Sequence, residues 1–279
     1  MNYPASSPAG QRDPSAPTPQ PLRVVMPASR PYVTYSIMGV TIGFYVLQFI
    51  SVSILGYAND AAQMDWLELY GSKINELIRA GQVWRFLTPV LLHGSVPHIL
   101  FNMYALYVIG IGLERHFGPW RYLLLYVLGG FAGNVLSFLL SSGYSVGAST
   151  AIFGLIGAEA VFLYQNRRLF GSRFGSAIGN VILIIVVNLV IDFVPGSGID
   201  YWGHIGGLVG GLMFTGFAGP RWQAEQVFSS SLQNSVQGII PTVQLVDQRE
   251  SREILTGAAA VLLVFGALAL FGIIHPLVQ

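Results

Sequence analysis

Seven apolar runs punctuate the chain, and polar segments separate them. They lie near residues 33–55, 97–113, 120–140, 149–165, 178–194, 203–219 and 255–275. A helix crosses the hydrocarbon core with about 20 apolar residues, range about 17–25, so the pattern predicts seven transmembrane helices. The fourth and sixth are near the lower limit of that range. The first run is too long, and begins too far into the chain, to be a cleaved signal peptide. Strand alternation is weak and the apolar runs are long, which argues against an outer-membrane barrel. The predicted fold class is all-α: a polytopic membrane protein with a six-helix core over residues 32–219 and one additional C-terminal transmembrane helix within 254–279.

The polar segments complete the plan. Residues 1–31 hold eight prolines among Ser, Ala, Thr and Gln. Such a tail cannot bury a core and is predicted to be disordered. Residues 56–96 carry Trp66, Trp84 and alternating charges such as Glu68, Lys73, Glu76 and Arg79, the pattern of short amphipathic helices lying at a membrane interface. Residues 220–253 read as a polar linker to the seventh span. With the N-terminus placed in the cytoplasm, eleven of the 14 Lys and Arg residues fall inside; only Lys73, Arg79 and Arg85 fall outside. That bias predicts a cytoplasmic N-terminus and an external C-terminus.

Composition sharpens the class. Charged residues make up only 10% and hydrophobic residues 53%, against about 25% charged in soluble domains. An ordinary soluble enzyme is excluded. A net charge of +1 gives no electrostatic signal for nucleic acid. The absence of cysteine excludes disulfides, thiolate metal sites and a cysteine nucleophile.

Polar groups at membrane depth are costly and each needs a reason. The second, fourth and sixth spans run in the same direction, and all three carry polar residues near the outer end: His98 and Asn102, then Ser149, then His204. His98 and Asn102 are four apart and share a helix face, as do Ser149 and Phe153. The sixth span has glycines at 203, 207 and 211 and at 206 and 210; the fourth has Gly147, Ala151, Gly154 and Gly157. Small residues at such spacing let membrane helices approach closely. A close fourth–sixth pair would bring the Ser149 hydroxyl near the His204 ring, the arrangement of a serine activated by a histidine base. His98, Asn102 and the Ser149 N–H would then supply oxyanion donors. Asp200, four residues before His204, is the nearest acid along the chain, though not an obviously well-placed one.

Simpler readings stand beside this one. A lone serine in a membrane helix is usually a packing residue, and His98 and Asn102 suffice for an interhelical hydrogen bond. His93, His98 and His204 could bind zinc, but no carboxylate or fourth ligand has suitable spacing. The four residues together, at equal depth, favour catalysis with no metal and no cofactor. Two acids stay unassigned. Glu159, about ten residues into the fourth span, would snorkel or pair with an arginine of the next loop. Asp192, near the outer end of the fifth span, has no assigned partner.

The motifs resemble those of the rhomboid intramembrane serine proteases. Gly147-Ala148-Ser149 followed by Ala151-Ile152-Phe153-Gly154 is similar to that family's nucleophile motif, Gly203-His204-Ile205-Gly206-Gly207 to its histidine motif, and His98-Ile99-Leu100-Phe101-Asn102 to its histidine–asparagine motif. Trp84-Arg85 with Leu87-Thr88-Pro89 resembles its first-loop signature, and Glu114-Arg115 with Gly118 its motif after the second span. The likeness covers about residues 80–217. It implies Ser149 as nucleophile, His204 as base and His98 and Asn102 as oxyanion donors. Gly147, Phe153 and Gly207 would support them, Phe153 by packing its ring on the histidine. It implies a Ser–His dyad with no required acid, so that Asp200 need not take part. Thr150 departs from the family's usual glycine after the nucleophile, placing a β-branched side chain at the start of the helix. The seventh span lies outside the six-helix core, as in a variant with one C-terminal helix added.

The function implied is an intramembrane serine endopeptidase cleaving transmembrane segments of membrane proteins near the outer face. Its partners would be transmembrane protein substrates and membrane lipids, and its home a cell membrane, more specifically a bacterial inner membrane. A non-catalytic binder of transmembrane helices on the same fold, and a transporter with a polar midplane site, are the rival readings.

Overall fold

A computed structural model describes residues 23–25, 30–194, 198–229 and 240–277. The expected disorder of the N-terminal tail falls almost wholly outside the described residues. Helices α1 (Tyr32–Leu55), α2 (Trp66–Gly71) and α3 (Asn75–Arg79) come first. The second span is α4 (Val96–Ala105) and α5 (Ile111–Phe117), joined without a break by a π-helical turn over Leu106–Gly110. Then follow α6 (Pro119–Leu140), α7 (Ser149–Gln165), the single turn α8 (Arg167–Phe170), α9 (Phe174–Asp192), α10 (Tyr201–Ala218) and α11 (Ser251–Ile274). All seven expected spans are present as helices. The protein is an all-α polytopic membrane protein in its spanning part.

Five of these spans are long and apolar enough to cross a bilayer by length and composition. The exceptions are α7, with 17 residues, and the glycine-rich α10, with 18. Both sit at the centre of the bundle, packed against each other and against α6. Most of α7 and half of α10 are buried by these neighbours.

Glycine sets the spacing of this central trio. A Cβ placed on Gly207 would fall 1.9 Å from the Thr150 carbonyl oxygen, and one on Gly211 would fall 1.9 Å from the Gly154 oxygen. On the other side of α10, a Cβ on Gly206 would lie 2.7 Å from the Ala132 oxygen. The α10 backbone therefore rests directly on the backbones of α6 and α7. Thr150 is buried in the same seam, its methyl 3.0 Å from the Cβ position of Gly203 and its Cβ 2.6 Å from that of Gly133. The β-branched residue that departs from the family pattern thus fills a gap among three helices.

Buried polar groups join the elements around the trio to one another and, through Lys73, to the chain just after α6. The Glu114 carboxylate accepts from Val33 N at 2.8 Å, Thr34 N at 2.7 Å and Thr34 Oγ1 at 2.7 Å. An acid of the second span thereby caps the first, where the helix N-terminus leaves unpaired N–H groups. The loop between α1 and α4 contains short helices, as expected, but its charges do not simply lie in the interface. Lys73 is buried and donates to Gly143 O at 2.6 Å and Ser141 O at 3.1 Å. Arg85 is buried and donates to Ser72 O and Leu69 O, both at 2.6 Å. These cations satisfy carbonyls at chain turns, a use that spacing alone does not reveal.

The helical unit does not account for every described residue. Strands β1 (Arg23–Val25), β2 (Trp222–Ser229) and β3 (Ile240–Asp247) form a sheet in the order β1-β3-β2, with Arg23, Val24 and Val25 parallel to Thr242, Val243 and Gln244. A stretch of the predicted disordered tail and much of the predicted polar linker are therefore extended and paired. The β-branched Val24, Val25, Ile240 and Val243 favour this state.

Gly211→Ala is expected to lower stability by about 1–3 kcal/mol through overpacking. Gly216→Ala, on the same helix where a Cβ meets nothing within 4 Å, should shift it by less than about 1 kcal/mol. Equilibrium unfolding of both variants in one detergent checks the contrast.

Candidate active site

The site is built where three helices begin. Ser149 is the first residue of α7. The chain reaches it through Gly147, whose φ of 126° suits glycine and whose N–H donates to Pro89 O at 2.9 Å. A Cβ on Gly147 would lie 2.6 Å from His98 Nε2 and 3.6 Å from Ser149 Oγ. The missing side chain is what lets the His98 ring and the Ser149 hydroxyl share one corner. His98 stands in the first turn of α4, whose N-cap Ser95 accepts from His98 N at 3.3 Å. Asn102, one turn further on, is buried and donates one amide hydrogen to His98 O at 2.9 Å. Its amide carries a second donor.

His204 lies in the first turn of α10, which Asp200 caps by accepting from Gly203 N at 3.0 Å. Its ring is stacked on Phe153, centroids 4.1 Å apart and planes 12° from parallel. Phe153 is one turn along α7 from Ser149, so the stack holds the imidazole on the face of α7 that carries the serine. His204 Nδ1 lies 2.6 Å from Asp192 Oδ2, at the C-terminal end of α9. The serine and the histidine are brought to the same end of the α7–α10 pair, and among the described residues no hydrogen bond joins them. Catalytic hydrogen bonds are often long in an unliganded site and tighten only around substrate.

The sequence reading overlooked the support beneath this corner. His93 packs edge-on against His98, ring centroids 5.0 Å apart, and its Nε2 accepts from Ala148 N at 3.5 Å. Burial, with His98 close by, pushes the His93 ring down to about 3. It therefore stays neutral and keeps a lone pair for that N–H. Its backbone is clamped by Gln48 of α1, which accepts from His93 N at 3.1 Å and donates to Asp65 Oδ2 at 2.7 Å. Asp65 and Glu68 close a capping box around α2. Burial, reinforced by the neighbouring Asp65 charge, raises the Glu68 carboxyl to about 7.

Other expectations resolve differently. Asp200 bonds Ser137 Oγ and caps α10, and the acid on the histidine is Asp192 instead. Spacing along the chain pointed to Asp200, four residues before His204, and left Asp192 without a partner. Glu159 pairs with none of the described arginines. Among the described residues no group of three or more His, Asp or Glu is placed to hold a metal ion, so His93, His98 and His204 do not assemble the zinc site weighed above.

A multi-pass helical membrane protein with a serine at the start of a short central helix, beside a histidine held by a ring and an acid, is the class this geometry defines. Comparison with known proteins then supplies the family. A family model described as Rhomboid domain matches residues 80–221, just over half of the chain. The chain is 40% identical over 169 residues to Rhomboid protease GluP of Bacillus subtilis, covering 61% of this chain and 32% of that protein. It is 36% identical over 157 residues to RHOMBOID-like protein 9, chloroplastic, of Arabidopsis thaliana, covering 56% and 36%. It is 38% identical over 162 residues to Rhomboid-like protease 2 of Toxoplasma gondii, covering 57% and 54%. The chain belongs to the rhomboid family. The matches span about a third to a half of these curated relatives.

The Glu68 carboxyl titrates near 7 in the folded protein and near 4.5 when unfolded. Between those values only the folded state holds the proton, so this group's stabilisation is full below about 4.5 and is lost as pH rises to about 7. Unfolding of the parent and of Glu68→Gln, followed across that window, is expected to show a falling contribution in the parent that the variant lacks.

Proposed function

We propose that this protein is an intramembrane serine endopeptidase that cleaves transmembrane segments of membrane proteins. The observation that carries the reading is the placement of His204. With Nδ1 engaged by Asp192 and the ring stacked on Phe153 one turn from Ser149, Nε2 is the nitrogen left to serve as base. Ser149 Oγ attacks the scissile carbonyl carbon and its proton passes to Nε2 as the new C–O bond forms. The carbonyl electron pair becomes the oxyanion. Collapse of that intermediate breaks the C–N bond, and Nε2 returns the proton to the leaving amine. Water, deprotonated by the same nitrogen, then hydrolyses the acyl ester and frees Ser149.

The oxyanion is held by the Ser149 N–H, the free Asn102 amide hydrogen and His98 Nε2–H. The first of these sits at the N-terminus of a 17-residue helix, whose dipole favours developing negative charge by about 0.3–1 kcal/mol. A regular helix keeps its carbonyls in backbone hydrogen bonds, so a substrate must unwind locally to offer one. Segments with helix-breaking residues and small side chains at the cleavage point meet that need. Membrane lipids surround the exposed apolar faces, and no nucleic acid takes part. The arginine distribution supports a cytoplasmic N-terminus, an external C-terminus and a site near the outer face of a cell membrane, on this reading a bacterial inner membrane.

Purified protein in lipid vesicles, given a fluorescent transmembrane substrate with helix-breaking residues, tests the reading. The parent is expected to cleave it, and Ser149→Ala and His204→Ala to leave it intact. A folded parent that cleaves none of several such substrates would overturn the reading in favour of a binder of transmembrane helices. In the same assay His98→Ala and Asn102→Ala should each lower kcat by on the order of 10²–10³-fold, the usual cost of one oxyanion donor, with KM little changed.

A further inference from the structure

The base of a Ser–His pair must present an unprotonated nitrogen to the serine and keep it aimed there. Imidazole has two tautomers, and which nitrogen carries the proton is set by what the other one bonds. Stacking on Phe153 at 4.1 Å confines the His204 ring to a plane. It does not stop the ring turning within that plane, and it does not choose the tautomer. A hydrogen bond to a fixed acceptor does both.

Two acids lie near enough in the chain to supply one. Asp200 is spent on Gly203 N and on Ser137 Oγ. Asp192 lies 2.6 Å from His204 Nδ1, with the histidine and aspartate side chains 8% and 4% exposed. A carboxylate only accepts hydrogen bonds, so its contact with Nδ1 requires a proton there and leaves the Nε2 lone pair free. In so dry a setting a charge-assisted bond of this length is strong and directional. It also offsets the positive charge that the ring acquires when it takes the serine proton.

We propose that Asp192 is a positioning residue for His204, so that the site operates as a Ser149–His204–Asp192 triad and not as a dyad. The inference rests on the serine-protease reading above. The carboxylate stays ionised throughout: the Nδ1 proton never leaves the imidazole, and only the proton between Ser149 Oγ, Nε2 and the leaving amine moves. The acid comes from the end of α9 and the base from the start of α10, so two spans jointly determine the base.

The test has a kinetic arm and an arm that needs no turnover. Asp192→Asn keeps the shape and removes the charge; Asp192→Leu replaces the carboxylate with an apolar group of similar size. In vesicles both are expected to lower kcat, by up to about 10⁴-fold, as loss of the orienting acid does in serine proteases. KM should remain within about twofold and thermal unfolding should stay near the parent's, the signature of an interaction made in the transition state. In the second arm, ¹⁵N NMR of histidine-labelled protein in bilayers, with the His204 signal assigned by its loss in His204→Ala, should show Nδ1 protonated in the parent. The Nε2-protonated form should gain in Asp192→Leu. A folded variant with kcat within about threefold of the parent, or a parent with the His204 proton on Nε2, overturns the proposal. Cleavage that persists in Ser149→Ala overturns the serine-protease reading itself, and the two failures are thereby told apart.

Discussion

The architecture depends on the direct backbone contact of α10 with α6 and α7. A Cβ at Gly207 or Gly211 would sit 1.9 Å from a carbonyl oxygen of α7, a separation that no side chain tolerates. Within a bilayer, lipid tails are as apolar as leucine, so helices gain little by hiding hydrophobic surface from solvent. Close packing of small residues takes over that role. The consequence for function is positional. Two helices this close carry Ser149 and His204 at the same end, and Phe153 of one lies flat against the histidine of the other. The glycines are thus both the adhesive of the bundle and the reason that its polar residues converge.

The second constraint is the cost of polar atoms in a dry interior. The protein meets part of it by giving several buried polar groups a backbone partner outside their own element. Glu114 caps α1, Lys73 and Arg85 bind carbonyls, and Gln48 bridges His93 to Asp65. These contacts tie α1, the loop after it and the second span to one another, and Lys73 ties that loop to the chain just after α6. The chain Asp65–Gln48–His93–Ala148 ends beside Ser149, so the loop between α1 and α4 supports the residue proposed as nucleophile. It does so through a histidine kept neutral by burial.

Much of this was legible in the residues. Helices appear within a few residues of all seven apolar runs, and five of them are long and apolar enough to cross a bilayer, because hydrophobic length is a strong signal when the solvent is lipid. Ser149, His204, His98 and Asn102 stood out in the sequence as costly polar groups at similar expected depth on three spans, and the fold puts each of them in the first turns of its helix. The short strands were missed. β1 spans three residues, and β2 and β3 are short mixtures of apolar and polar residues inside polar segments, so pairing with distant segments determines them. The burial of Lys73 and Arg85 was also hidden, since a charge pattern cannot separate a cation in water from one bound to carbonyls.

What the sequence determined by itself was the class of solvent and the positions of the apolar helices, since each depends on local composition measured against a bilayer of set thickness. What only the tertiary structure decided was which groups meet. Asp192 and Asp200 lie 12 and four residues before His204, and linear proximity favours Asp200. The fold spends Asp200 on capping α10 and brings Asp192 in from the end of α9 to His204 Nδ1. A helix N-terminus claims the acid beside it, while a side chain one turn further in must be met by a neighbouring helix. That choice is made by three-dimensional packing, which no spacing rule along the chain encodes.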